Sequence, residues 1–239
     1  MDAVPLLFAE AVARLIDEAS LCSLKDSSFG PFGSVGRSLW ENRLRIDVNV
    51  VFNRKAGNFD YCLTCTRNDS LLEEPYTYDP ADRRFVSDFR LYLLESKDFG
   101  NRKFTWTTAA PSDPTLLWWL RAPFTRTLLY LYVNCPQFLN LLPDYCSFNI
   151  IYTLSDSYNK VFEEIIQRSQ ARGRLEYVHS TEFFKKLGRQ ASIDWIATNK
   201  QLRSISGLSV DSPAAIDNVL DLIGVPAPNR PGAQSALPH

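Results

Sequence analysis

Apolar residues recur at two periods along this chain, and the change of period divides it. Near the start Phe8, Val12 and Ile16 fall four residues apart, with Leu15 beside them. Four-residue steps place side chains along one helical face. Pro5 opens that helix at a position where its missing N–H costs nothing. Asp17 and Glu18 interrupt, and Leu21 and Leu24 resume at the spacing of a second short helix. Residues 25 to 36, KDSSFGPFGSVG, are rich in glycine and serine and read as a connector.

From Leu44 the period drops to two. Leu44, Ile46, Val48 and Val50 alternate with Arg45, Asp47 and Asn49, which predicts a strand buried on one face and wet on the other. Gly57 ends a turn over residues 54 to 58, and Phe59, Tyr61, Leu63 and Cys65 alternate again, so the pair reads as an antiparallel hairpin. Residues 68 to 82 read as a loop. A third strand through Leu94 and a fourth at residues 104 to 107 extend the hairpin into an antiparallel meander over residues 43 to 108.

Beyond Asp113 the pattern changes once more. Asp113 and Pro114 suit the N-cap and first position of a short helix over residues 115 to 120. Residues 127 to 133 are apolar on both faces, as a central strand would be. A helical turn at residues 136 to 142 and a strand over residues 148 to 154 follow. Val161, Phe162, Ile165 and Ile166 then mark a helix, with Ser155 or Ser157 as cap and Gly173 as stop. Leu175, Tyr177 and His179 start another strand, and Thr181 to Leu187 is a helix ended by Gly188. Strand and helix in alternation predict parallel neighbours. A last helix opens at Ser212-Pro213 and ends at Gly224, and residues 225 to 239 read as a disordered tail.

The fold class expected is therefore α+β: short N-terminal helices, the meander, then a mixed strand–helix half. Its parts are residues 1–42, 43–224 and 225–239.

Composition narrows the function classes. Of 239 residues 45% are hydrophobic and 22% charged, enough for a sizeable core. Lys plus Arg number 26 against 27 Asp plus Glu, so nothing in the balance attracts nucleic acid or anionic lipid. The most membrane-like stretch, Leu116 to Val133, holds Arg121, Pro123 and Arg126 and reads as core. Five cysteines, an odd number without disulfide spacing, fit free thiols in a reducing, intracellular compartment.

Candidate chemistry is sparse. Cys62 and Cys65 have C-x-x-C spacing but no second ligand pair, and on a strand residues three apart face opposite ways. No metal or cofactor is expected. Cys65 reads as core and Cys62 as half-exposed. His179, the only histidine outside the tail, reads as filling the edge of a core. The glycines at 30, 33 and 36 lack the Lys of a phosphate loop. Arg168, Arg172 and Arg174, with Lys185, Lys186 and Arg189, either form a basic patch or complement helix C-terminal ends. Nothing here points to an enzyme.

Val4-Pro5, Phe8, Val12, Ile16, Leu21 and Leu24 together resemble the F-box, in the form found in nematode-type F-box proteins. Trp40, in GRSLWENR, stands where that motif closes with a tryptophan. The resemblance covers about the first forty residues. It implies an adaptor that docks on a Skp1-like protein of a cullin–RING ubiquitin ligase and presents residues 43–224 to a protein substrate. The partner-binding residues it implies are Pro5, Phe8, Val12, Leu15, Ile16, Leu21, Leu24 and Trp40. The alternative stays open: an interaction module with no ligase role, whose first helix packs on its own core. Exposure of that helix's apolar face separates the two.

Overall fold

The computed structural model describes residues 5–13, 16, 18–26, 30–67, 70, 73–77, 79–97, 105–110, 112–121, 124, 126–142, 144, 146–153 and 160–206. The chain has the α+β architecture, with helices and a mixed sheet, and divides into two compact units, Met1–Leu128 and Leu129–His239. The division falls inside a strand, and the N-terminal helices belong to the same unit as the hairpin.

The first unit opens with three helices, α1 (Leu6–Ala13), α2 (Glu18–Lys25) and α3 (Gly30–Glu41). The glycine-rich stretch expected to be a connector is thus mostly helix. Glycine is a poor helix former, but here its small size is what packing requires. A Cβ at Gly36 would lie 2.9 Å from Leu24 Cγ and 3.0 Å from the backbone of Leu24 and Lys25. Bare backbone at Gly36 lets α3 lie directly on α2. Ala9, Ala13, Leu21, Val35 and Leu39 form the core between the helices, and Phe85 packs against it.

Strands β1 (Leu44–Asn53) and β2 (Asn58–Arg67) form the antiparallel hairpin, in register from Leu44 opposite Arg67 to Asn53 opposite Asn58. Its turn is closed by Gly57 at φ +68°, whose N–H donates to the Asn53 carbonyl at 2.8 Å. A 3₁₀ helix, Pro80–Phe85, leads into β4 (Val86–Leu94), after a two-residue β3 (Glu74–Pro75) that pairs with β2.

The expected meander stops at the hairpin. β4 lies on the far side of β1 and runs parallel to it, and β5 (Thr107–Ala109) pairs with β2. A meander needs a tight turn between neighbours, whereas residues 68–85 are long enough to carry the chain past β1. Order within this unit is β3-β2-β1-β4, followed by the start of β6 (Arg126–Leu131), where Arg126 Nη1 lies 3.7 Å from Asp88 Oδ1. A central strand is buried on both faces, and so is β1: Asp47 and Asn49, expected in water, are enclosed like Ile46, Val48 and Val50.

Helix α4 (Pro114–Arg121) starts as its sequence predicts. Asp113 Oδ1 accepts from the N–H groups of Thr115 and Leu116, each at 3.0 Å. It delivers Trp119 to an aromatic cluster. That ring is stacked on Phe89 and Phe124 at 6.4 and 6.0 Å and edge-on to Tyr76 at 5.8 Å.

The second unit has strand order β6-β7-β8-β9, with β7 (Ile150–Thr153), β8 (Tyr177–His179) and β9 (Ser204–Ser206) parallel to one another. After the short α5 (Phe138–Leu141), helix α6 (Lys160–Ala171) buries Val161, Phe162, Ile165 and Ile166, the residues whose spacing predicted it. Its end is a Schellman turn: Gly173 has φ +63°, and Arg174 N–H donates to the Ser169 carbonyl at 3.1 Å. Helix α7 (Thr181–Leu187) is capped by the Ser180 hydroxyl, which accepts from Phe183 N–H at 3.2 Å. Gly188 ends it and starts α8 (Arg189–Thr198), which the sequence reading missed along with β9. The caps at Ser155 and Ser157, the helix at 212–224 and the tail at 225–239 lie outside the described residues.

Candidate functional site

The residues singled out near the N-terminus separate into two groups. Pro5 starts α1, its carbonyl accepting from Phe8 and Ala9 N–H at 3.0 and 3.1 Å. The helix ends at Ala13, so the four-residue stripe does not continue along one helix to Ile16. Ile16 instead packs half-buried on the inter-helix core. Leu21 is buried, and Leu24 is half-buried against Gly36. Two cations lie over the Trp40 ring, Arg43 at 3.7 Å and Lys25 at 4.5 Å from its centroid, and Arg43 Nη1 also donates to the Trp40 carbonyl at 2.7 Å. These four residues serve the unit's own interior. Val12 is half-buried, and Leu15 lies outside the described residues.

Phe8 faces outward, and two residues the stripe omitted join it. Leu6, Leu7 and Phe8 are 59%, 78% and 56% exposed, the large exposed apolar residues among those described. Phe8 meets Phe32 of α3 edge-on at 6.5 Å. A cleft of about 260 Å³ adjoins, lined by Leu6, Glu10, Val35, Ser38, Leu39 and Phe85 among others. The inner face of α1 is made by small residues, Ala9 and Ala13, four apart, which draw the helix close to its neighbours. That pair of alanines was the signal available in the sequence: the large residues of LLFAEAVA are left for the outside.

The polar face of the β1–β2–β4 sheet was also not foreseen. Across it, Asp47 stands opposite Thr64 on β2 and Arg90 on β4, and Asn49 opposite Cys62 and Tyr92. Two carboxylates there have contrasting surroundings. For Asp60, burial works against the charge, but the Thr108 hydroxyl and the Lys97 ammonium, 2.5 and 3.1 Å away, hold the carboxyl below its ordinary range. Among the described residues Asp47 has no comparable hydrogen-bond donors at its Oδ1, and burial pushes it up to about 6.

Cys62 and Cys65 are both buried, so Cys62 is not half-exposed as expected. They sit in register with Asn49 and Ile46 on opposite faces of β2 and do not converge, and burial pushes the Cys62 thiol up to about 12. A thiol so disfavoured as thiolate is a weak nucleophile. Among the described residues no three His, Cys, Asp or Glu side chains gather as a metal site would need. His179 lies at a half-buried strand position, its Nδ1 hydrogen-bonded to the Ser206 hydroxyl.

Of the basic residues read either as a patch or as complements to helix C-terminal ends, Arg168 and Arg174 are held by partners. Arg168 reaches Glu164 and Asp144 at 3.0 and 3.3 Å and donates to the Leu142 carbonyl at 3.2 Å, and Arg174 donates to Asn149 Oδ1 at 3.0 Å. No helix among the described residues is long and apolar enough to cross a membrane. Comparison with family models, with curated proteins and with solved structures gave no match for this chain.

Proposed function

We propose that this chain is the substrate-recognition adaptor of a Skp1–cullin–F-box type ubiquitin ligase, acting inside the cell. Its α1 docks on a Skp1-like protein, and the α+β body binds an unidentified protein substrate. The role is one of binding, with no reaction of its own. One observation supports this reading most: Leu6, Leu7 and Phe8 are exposed on a helix whose inner face is already filled by its own core. Contiguous exposed apolar side chains mark a partner surface.

The test follows from which side chains are free. Leu7→Asp with Phe8→Asp places two carboxylates on the exposed face. In a pull-down of the full chain, wild type is expected to retain a Skp1 homologue and the double variant to lose it. Leu7 is mostly solvent-facing, where a change shifts stability by about 0.5 kcal/mol or less, so Leu7→Asp alone should leave thermal unfolding nearly unchanged. Phe8→Asp also gives up the edge contact with Phe32. A wild-type chain that never retains the homologue would sink the adaptor reading. That outcome favours the second reading, an interaction module without ligase role, which draws support from Ala9, Ala13 and Ile16 packing on the chain's own core.

A further inference from the structure

The polar face of β1, β2 and β4 plays no part in the adaptor reading. At its centre the Asp47 side chain is 5% exposed. Among the described residues its Oδ1 accepts no hydrogen bond, and the Arg45 Nε lies 3.9 Å away, beyond hydrogen-bond reach. Opposite it on β2, the buried Thr64 hydroxyl has no hydrogen-bond partner among the described residues either. A carboxylate removed from water needs full hydrogen bonding to remain charged at low cost. The charged groups facing Asp47 are Arg45 on its own strand, Arg90 and Asp88 on β4, and Glu73 ahead of β3. On β2, Cys62 lies two residues from Thr64, and the Cys65 thiol, raised by burial, is pushed further up by the Asp47 charge.

We propose that Asp47 is a pH-sensitive device built into this sheet: proton uptake by its carboxyl tightens the β1–β2–β4 core, and ionisation at neutral pH loosens it. Burial is the main cause and raises the group from an ordinary value of 3.8 to about 6. Arg90 and Arg45 oppose that shift, while Glu73 and Asp88 add to it. The sign follows from linkage. A carboxyl harder to ionise in the folded state binds more protons folded than unfolded, so stability falls as pH rises. Below the unfolded value nothing is lost. The loss accumulates between the two values and is complete above about 6.

The test is thermal unfolding of the full chain between about pH 4 and about pH 7. Wild type is expected to unfold at progressively lower temperature as pH rises through this window. Asp47→Asn keeps the shape and removes the titration, so it should flatten that dependence and unfold at higher temperature than wild type at neutral pH. As a measurement on the unaltered protein, the carboxyl carbon resonance of Asp47 should titrate near 6. The proposal is overturned if Asp47→Asn unfolds below wild type at neutral pH, which would mean the charge is held by its arginines. It is equally overturned if the variant keeps the wild-type dependence, or if the resonance titrates at its ordinary position.

Discussion

Trp119→Ala is expected to destabilise the first unit by about 3–5 kcal/mol, the usual loss for a fully buried indole. Trp119 is 1% exposed and joins three elements: its own α4, Phe89 of β4 and Tyr76 beyond β3. Phe124 adds a second stacked ring, and Trp118 stands perpendicular at 4.8 Å. Alanine would leave a void lined by flat rings from separate stretches of chain, Tyr76, Phe89 and Phe124, which cannot all close in together. At about 2–4 °C per kcal/mol for a chain of this length, unfolding should come roughly 6–20 °C earlier. Trp119→Phe keeps much of the stacked area and should lose considerably less. A calorimetric shift of only a degree or two for Trp119→Ala would show that the cluster is not central to the unit.

That cluster also shows which parts of the fold were legible. Helix α4 was read from Asp113 and Pro114 because capping is local: the cap and the N–H groups it satisfies lie within three residues. The hairpin turn at Gly57 and the helix stops at Gly173 and Gly188 were legible for the same reason. Strand neighbours were not. Nothing in the alternation of Phe89, Leu91 and Leu93 says whether β4 sits beside β2 or beyond β1, and that choice decides whether Asp47 and Asn49 meet water or protein. Periodicity reports that a strand has two different faces, and tertiary packing decides which are covered.

The N-terminal site was half legible for a related reason. Steps of four correctly marked a helix at Phe8 and Val12, but whether its large apolar side chains meet a partner or the chain's own core stayed open. In α1 the inward positions belong to Ala9 and Ala13. Small residues there allow close approach, and close approach is invisible to a pattern that weights residues by hydrophobicity. The same blind spot turned α3 into a connector, since Gly30, Gly33 and Gly36 lower helix propensity while permitting contact with α2.

Gly36→Val tests that contact and ties it to the docking surface. The added Cβ meets Leu24 Cγ at 2.9 Å and the backbone at Leu24 C and Lys25 N at 3.0 Å. A side chain can rotate away, so the first clash is open to relief. The two backbone contacts are not, short of moving α2 bodily off α3. Overpacking of this kind costs about 1–3 kcal/mol. The inter-helix core here is small, so the strain should fall on the helices before it reaches the sheet. Leu24→Ala in the same chain removes only the Cγ contact and should restore only part of the loss. On the adaptor reading, Gly36→Val also weakens retention of a Skp1 homologue although Leu6, Leu7 and Phe8 are untouched. Their display depends on α1 resting on a correctly spaced α3, where Val35 and Leu39 share the core with Ala9 and Ala13. Unfolding and retention both equal to wild type would mean that α2 and α3 do not need bare backbone between them.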